Sequence, residues 1–427
     1  MDTMHTANVA AGPDPNDLLT AQQASDLLGV KQATLYTYVS RGWLHAVRSP
    51  SRRDHRYQRD EVESLRLRST ARHGHGALAA SAMRWGQPVM DTAITEIDDA
   101  GPHYRGYLAS DLVNHPGVYE NVAELLWSGV LTDTPHTWPV EPFHVDLAEA
   151  LNAMLQSGRT KPRMLRLFAI VCTALGGDTL ADELRSGSIE RFSRQMLFGF
   201  AGACGVIGPT GHFVMPEGER PLAQHVLRSM GVALNSQVEH AVNAALILAA
   251  DHELSSGTFA ARIAASTGAT LHGSVIAAQA TLQGVMLAGG ADVAEDLVRG
   301  IHSTQDLDAR LMDAERRRLR LSGFGLQIYP HGDPRAAYLI DLAQRTAPSS
   351  TQADLAYRFV DRVRDSLGLH PNIEMGLVVL SIAWSLPLRS PCALWGISRT
   401  AGLIAHIIEQ RLAGFSIRPR GHYKSRR

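Results

Sequence analysis

The chain has 427 residues, with 41 Lys and Arg against 42 Asp and Glu and a formal net charge of −1. That length suits two to three domains of about 150 residues each and excludes a single small module. A hydrophobic content of 45% excludes a disordered chain, and near-neutrality excludes a protein that coats nucleic acid along its whole length. Residues 1–18 are small and polar with two prolines, so they are expected as a disordered tail without the apolar run of a signal peptide.

Residues 19–70 read as a distinct basic unit. Thr20 is an N-cap and Gly29 a helix stop, and Lys31-Gln-Ala-Thr-Leu-Tyr-Thr-Tyr-Val-Ser makes a second short helix. Ala24, Leu27, Leu28, Leu35 and Val39 can share a core. A hairpin-like Ser49-Pro-Ser-Arg-Arg-Asp-His-Arg-Tyr follows. From Thr20 to Thr70, nine basic and five acidic residues leave +4, a charge suited to phosphate neutralisation. The order helix, turn, helix, basic hairpin resembles the winged helix-turn-helix of the MerR/excisionase type. That resemblance implies DNA contact through Lys31, Gln32, Thr34 and Tyr36 on the groove-facing helix and Arg52, Arg53 and Arg56 in the wing. The bland alternative is a docking module with a solvated basic face.

Residues 71–90, including His73-Gly-His75-Gly, read as a linker. After it, apolar residues recur at helical spacing over Val122–Leu126, Leu147–Leu155, Met164–Leu175, Leu222–Gly231 and Val238–Ala250. The pattern continues over Ala291–Val298, Gln305–Leu319, Arg335–Thr346, Leu355–Ser366 and Ser398–Leu412. Strand-like alternation occurs only near Val89–Ile97 and Tyr104–Tyr107, and no internal repeat is present. The fold class is therefore mostly α. Aromatic residues at 6% agree with closely packed helices. Cys172, Cys204 and Cys392 are far apart, odd in number and without metal-ligand spacing, so a reducing cytoplasm is expected and no metal. The longest apolar runs, Ala244–Ala250 and Met375–Leu388, fall short of the roughly 20 residues that span a bilayer, so no membrane partner is expected.

Taken singly, the body's motifs are weak, and there is no Walker loop, zinc spacing or nucleophile elbow. Their order is specific. Tyr104-Arg-Gly-Tyr comes first, then Ala249-Ala-Asp-His-Glu-Leu-Ser-Ser-Gly and Ala265-Ser-Thr-Gly. Gly323-Phe-Gly-Leu-Gln-Ile-Tyr-Pro-His-Gly-Asp-Pro-Arg, His370-Pro-Asn-Ile-Glu, Gly396-Ile-Ser-Arg-Thr and Ile417-Arg-Pro-Arg follow. This series resembles citrate synthase and covers roughly Ile94 to the C-terminus.

The resemblance implies a helical homodimer with a body over 91–427, in which a small mobile domain at roughly 290–385 closes over the site. It implies the joining of acetyl-CoA to oxaloacetate, with an acyl-CoA as substrate or ligand and no bound cofactor. His252 matches the histidine that contacts oxaloacetate. Arg335 and Arg399 match two carboxylate-binding arginines, and Arg418 matches the arginine contributed across the dimer. Guanidinium forks suit this work because they stay charged and bind carboxylates bidentately. The chemical centre departs from the pattern. Ala288 falls where the enol-stabilising histidine belongs, Leu326 replaces the carbonyl-polarising histidine, and Glu374 stands for the aspartate base. His272 lies on the wrong side of the next helix to replace the former, and His331 reads as an exposed loop histidine. Two functions are therefore expected. The first is a regulator that binds DNA in response to a carboxylate such as oxaloacetate or citrate, or to an acyl-CoA, with weak or no citrate synthase activity. The alternative is an active citrate or 2-methylcitrate synthase-type acyltransferase of altered substrate, with Glu374 as base.

Overall fold

The computed structural model describes residues 18–28, 30–40, 44, 46–48, 55–59, 61–62, 90–140, 142–156, 163–177, 179–186, 189–284, 289–317 and 321–419. Gly29, Arg52, Arg53, Ala288, the tail before Leu18 and the connector up to 89 lie outside the described residues. Two compact units divide the chain, Met1–Asp91 and Thr92–Arg427.

In the first unit, β1 (Leu18–Thr20) leads into α1 (Ala21–Leu28), α2 (Gln32–Ser40), β2 (Ala46–Arg48) and β3 (His55–Gln58). Strand β3 is central and antiparallel to both others, pairing Leu18 with Gln58 and Arg48 with His55. The expected tail through Leu18 is thereby corrected by one residue. Leu18 takes part in the sheet because Leu19 beside it is buried in the unit's core with Ala24, Leu28, Leu35, Tyr57 and Val62. Helix α1 opens on a reciprocal cap: the Gln23 amide donates to Thr20 Oγ1 at 3.2 Å, and the Thr20 amide to Gln23 Oε1 at 2.9 Å.

The second unit begins with a small meander, β4 (Thr95–Asp98), β5 (Gly101–Tyr104) and β6 (Tyr107–Leu108), where alternation had suggested strands. Sixteen α-helices follow among its described residues: α3 (Ala109–Asn114), α4 (Tyr119–Ser128), α5 (Leu147–Gln156), α6 (Met164–Leu175), α7 (Leu180–Ser186), α8 (Ile189–Ala203), α9 (Leu222–Ser229), α10 (Ser236–Leu248), α11 (Ser256–Ser266), α12 (Leu271–Leu282), α13 (Gly289–Arg299), α14 (Thr304–Arg317), α15 (Pro334–Thr346), α16 (Thr351–Leu367), α17 (Ile373–Ala383) and α18 (Ser390–Ala413). The mostly helical expectation therefore holds.

Their apolar stripes build two cores. The larger gathers α4, α6, α8, α10 and α18 around Phe168, Phe200, Leu246, Ile397 and Ile404. The smaller joins α13, α14, α16 and α17 through Val298, Leu311, Phe359, Val363, Met375 and Val379. Its residues fall between 294 and 382. Helices α17 and α18 are apolar nearly all round, as central helices must be. Every residue of α18 from Ser390 to Ile407 is buried, and Glu374 is the one residue of α17 that is not. At 24 residues, α18 is about 36 Å long. Among the described residues, no helix is long and apolar enough to cross a membrane.

Candidate active site

The loop after α10 carries Asp251 and His252, and Tyr104 sets its course. The buried Tyr104 phenol lies 3.0 Å from the Ile247 carbonyl and 3.2 Å from that of Leu248, and accepts from the Asp251 amide at 3.3 Å. It thereby satisfies carbonyls left over where α10 ends. Burial pushes this phenol well above its ordinary range, so it stays protonated.

Arg335 is the second residue of α15. Asp333 caps that helix and Pro334 starts it, a strong local signal for a helix beginning here. The Asp333 carboxylate also grips the arginine twice, at 2.9 Å from Nε and 2.8 Å from a terminal nitrogen. It accepts the Ile373 amide at 2.9 Å as well, which ties α15 to the start of α17. Burial disfavours the Arg335 cation, but Asp333 outweighs it and holds the guanidinium above its ordinary range. The Tyr329 ring lies 5.6 Å from that guanidinium, and its phenol oxygen is 3.3 Å from His252 Nε2. Burial, with Arg335 and Arg399 nearby, keeps His252 well below the usual histidine range and hence neutral.

Arg399 comes from the middle of α18 and is 3% exposed. One terminal nitrogen donates to Ser255 Oγ at 3.0 Å and Thr258 Oγ1 at 3.3 Å. The other stands 3.8 Å from Asp251 Oδ1, too far for a hydrogen bond. Among the described residues, it and Nε have no hydrogen-bond partner, and neither does Asp251 Oδ1. Burial, with Arg335 adding its repulsion, pushes Arg399 below its ordinary range despite Asp251. A buried, incompletely satisfied cation beside a second arginine and a neutral histidine has the chemistry to take an anion, and the geometry of its fork suits a carboxylate.

His252, Arg335 and Arg399 are thus brought together. Leu326 lies in the loop 323–329, and its carbonyl accepts the Tyr329 amide at 2.9 Å. This loop is bonded to the segment before α17: the Gly325 amide donates to the His370 carbonyl at 2.8 Å, and the Asn372 amide to that of Gly323 at 2.9 Å. Asn372 then caps α17 by accepting the Glu374 and Met375 amides. A Cβ added to Gly290, at the start of α13, would meet Glu374 Oε2 at 2.8 Å, so the carboxylate lies against that glycine. His331 is exposed, and His272 is buried in α12 away from this cluster. Arg418 is exposed beyond α18, in a tail where the Ile417 amide donates to Ser266 Oγ at 3.1 Å. Sequence reasoning missed Tyr329, Tyr104 and Asp333. Asp333 alone had a readable signal, its place immediately before the proline that opens α15.

A cavity of 330 Å³ lies behind Arg335, lined also by Pro102, Leu248 and Tyr338, and neither His252 nor Arg399 lines it. It is therefore not the anion site. Among the described residues, no group of three His, Cys, Asp or Glu side chains could hold a metal ion.

In the first unit, Lys31, Gln32 and Tyr36 are exposed, while Thr34 and Arg56 are half-buried. Gln32 Nε2 donates to Gln22 Oε1 at 2.8 Å, which ties α2 to α1.

The family model described as "Citrate synthase, C-terminal domain" matches residues 82–420, and that described as "Helix-turn-helix domain" matches residues 18–68. Citrate synthase 2 of Bacillus subtilis is 29% identical over 216 residues, which are 49% of this chain and 58% of that relative, little more than half its length. The citrate synthase of Haloferax volcanii is 28% identical over 360 residues, 78% of this chain and 93% of the relative. Among solved structures, the ternary complex of carboxymethyl coenzyme A and oxaloacetate with citrate synthase from Thermoplasma acidophilum is similar with a TM-score of 0.65 at 23% identity. That likeness covers 80% of this chain and 94% of that one, and it bears on the fold.

Proposed function

This chain belongs to the citrate synthase family and carries an N-terminal helix-turn-helix domain, and from that premise we propose that it is a DNA-binding regulator responsive to a carboxylate or an acyl-CoA. The observation that carries this reading is Arg399, buried and incompletely satisfied beside Arg335 and His252. Such a cluster favours a di- or tricarboxylate of the oxaloacetate or citrate type. The resemblance puts Leu326 and Ala288 where the family uses histidines. A donor to a developing oxyanion is worth about 10²–10³ in rate, and a positioned acid or base about 10²–10⁴. Leucine and alanine supply neither, so the body binds its ligand with weak or no turnover. The protein works as a cytoplasmic homodimer, Arg418 reaches the partner's site, and the basic surface of residues 19–70 contacts DNA. Gel shifts and genomic footprinting with and without citrate, oxaloacetate and acyl-CoAs test this. No DNA binding under any ligand condition sinks it.

A second reading rests on Glu374. Its carboxylate against Gly290, beside the chain position of Ala288, favours a working acyltransferase in which Glu374 is the base. Thiol release from acetyl- and propionyl-CoA over a panel of 2-oxo acids tests it. Turnover that Glu374→Gln abolishes would replace the first reading by this one.

A further inference from the structure

The clamp arginine is one end of a polar chain that is buried as far as Arg262 and reaches the surface at Glu409 and Ala93, the entry to the body. Helix α18 presents Arg399, His406 and Glu409 at offsets of seven and three residues, which places them on one face. Gly402, on the same face, lets α18 close on the loop after α10. Its amide donates to the Ala250 carbonyl at 3.1 Å, and a Cβ there would overlap the Asp251 carboxylate. His406, wholly buried, then meets Asp251 with Nε2 3.2 Å from Oδ2. Its Nδ1 lies 3.2 Å from Arg262, which is 2% exposed. The other contacts of Arg262 are Glu409 Oε2 at 2.5 Å and Gln410 Oε1 at 3.1 Å. Glu409 Oε1 accepts the Ala93 amide at 2.8 Å, and the carboxylate also bonds the Thr92 side chain.

From Arg262 the donors run outward both ways, to His406 and to Glu409. A guanidinium can only donate, so His406 Nδ1 accepts, Nε2 carries the hydrogen, and that hydrogen goes to Asp251. The joints from Asp251 to Arg262 are buried and low in dielectric, where bonds in series polarise one another, while the Arg262–Glu409 joint is partly buried and the Glu409–Ala93 bond is exposed. The chain is closed everywhere except between Asp251 Oδ1 and an Arg399 terminal nitrogen, two atoms 3.8 Å apart that each lack a hydrogen-bond partner among the described residues. The open joint is the one an anionic ligand would touch.

We propose that this chain, Arg399–Asp251–His406–Arg262–Glu409–Ala93, carries the occupancy of the anion site to the residues that join the body to the helix-turn-helix domain. This rests on the carboxylate-responsive reading and deepens it. Thr92 and Ala93 are the first two residues of the body, directly after the segment that leads out of the DNA-binding domain. A carboxylate that engages Arg399 removes its partial compensation of Asp251. Asp251 then draws harder on the His406 hydrogen, and Nδ1 becomes the better acceptor for Arg262. Arg262 yields some of its hold on Glu409, and the less compensated Glu409 holds the Ala93 amide more tightly. Coupling of this kind needs two sites and differential contacts at each, and the relay supplies the connection between them.

Hydrogen exchange on the full-length protein tests it, read on the peptide covering residues 90–98 with and without citrate, with citrate affinity measured by calorimetry. The expected result is exchange about fivefold slower at Ala93 with citrate, the low end of ordinary coupling. Glu409→Gln should abolish that response while citrate still binds. A peptide from α16 serves as control, and His406→Gln replaces Glu409→Gln if the latter disturbs that control. If citrate binds and the 90–98 peptide does not respond, the relay is overturned while the ligand reading survives. If citrate does not bind, Arg399→Ala without ligand decides. A changed Ala93 exchange with an unchanged α16 keeps the relay and sinks the ligand reading, and no change sinks both.

Discussion

The Tyr329 phenol stands 3.3 Å from Nε2 of His252, with the Arg335 guanidinium 5.6 Å from the same ring. Burial raises this phenol to about 12, and His252 is held unprotonated, so the phenol donates and the imidazole carries its hydrogen on Nδ1. Tyr329 thus sets the tautomer of the histidine that the resemblance assigns to ligand contact. Tyr329→Phe should leave the fold intact and weaken citrate binding about fivefold, the worth of one hydrogen bond at about 1 kcal/mol. Calorimetry on the two proteins checks this, and equal affinities would remove Tyr329 from the site.

Asp333 does three jobs at once, capping α15, gripping Arg335 and accepting the Ile373 amide. Asp333→Asn leaves a buried guanidinium without its counter-charge, which costs about 3–5 kcal/mol. Urea unfolding should register that loss together with a loss of citrate binding. A variant as stable as the parent would show that Arg335 finds another counter-charge.

Helix propensity alone predicts that Gly402→Ala stabilises α18 by about 1 kcal/mol. The overlap with the Asp251 carboxylate and the Ala250 carbonyl predicts the reverse, a net loss of about 2 kcal/mol from overpacking. Thermal unfolding decides between the two, and a raised melting temperature would contradict the close approach of α18 to this loop.

His225 and His272 are 2% and 3% exposed, and burial lowers both to about 4 from an ordinary 6.5. Such a group binds its proton more tightly in the unfolded chain. Its share of stability is complete above pH 6.5 and is lost as pH falls toward 4. Burial raises Glu120 to about 7, with the opposite sign: its share is complete below 4.5 and lost as pH rises through 7. His252 and His240 shift in the same direction as His225 and His272, and with His252 held well below its ordinary range the four histidines outweigh Glu120 and the upward-shifted Glu253, Asp292 and Glu295. Stability measured by denaturant titration should therefore fall between pH 6.5 and pH 4, and His225→Gln should shallow that slope. An unchanged slope would mean that His225 is accessible to protons in the fold.

Long amphipathic helices such as α6, α10, α15 and α16 were legible because their apolar spacing is regular. Helix α8 was not, because Gly199 and Gly202 interrupt its pattern. Both glycines pack where a Cβ would strike Val171 or Phe213, so tertiary contact overrides propensity there. Helix α12 was missed because its apolar residues lie all round it, which removes the periodic signal. In the site, His252, Arg335 and Arg399 could be read from short local motifs. The Asp251–His406 contact spans 155 residues and has no local signature. Nothing around Tyr329 announced a side chain that reaches a histidine 77 residues earlier.

The backbone bonds from Gly325 to His370 and from Asn372 to Gly323 strap the loop that carries Leu326 to the segment from which α17 and Glu374 begin. A change at either end of this strap therefore acts on backbone shared with the other, which couples the conformation of the 323–329 loop to the start of α17.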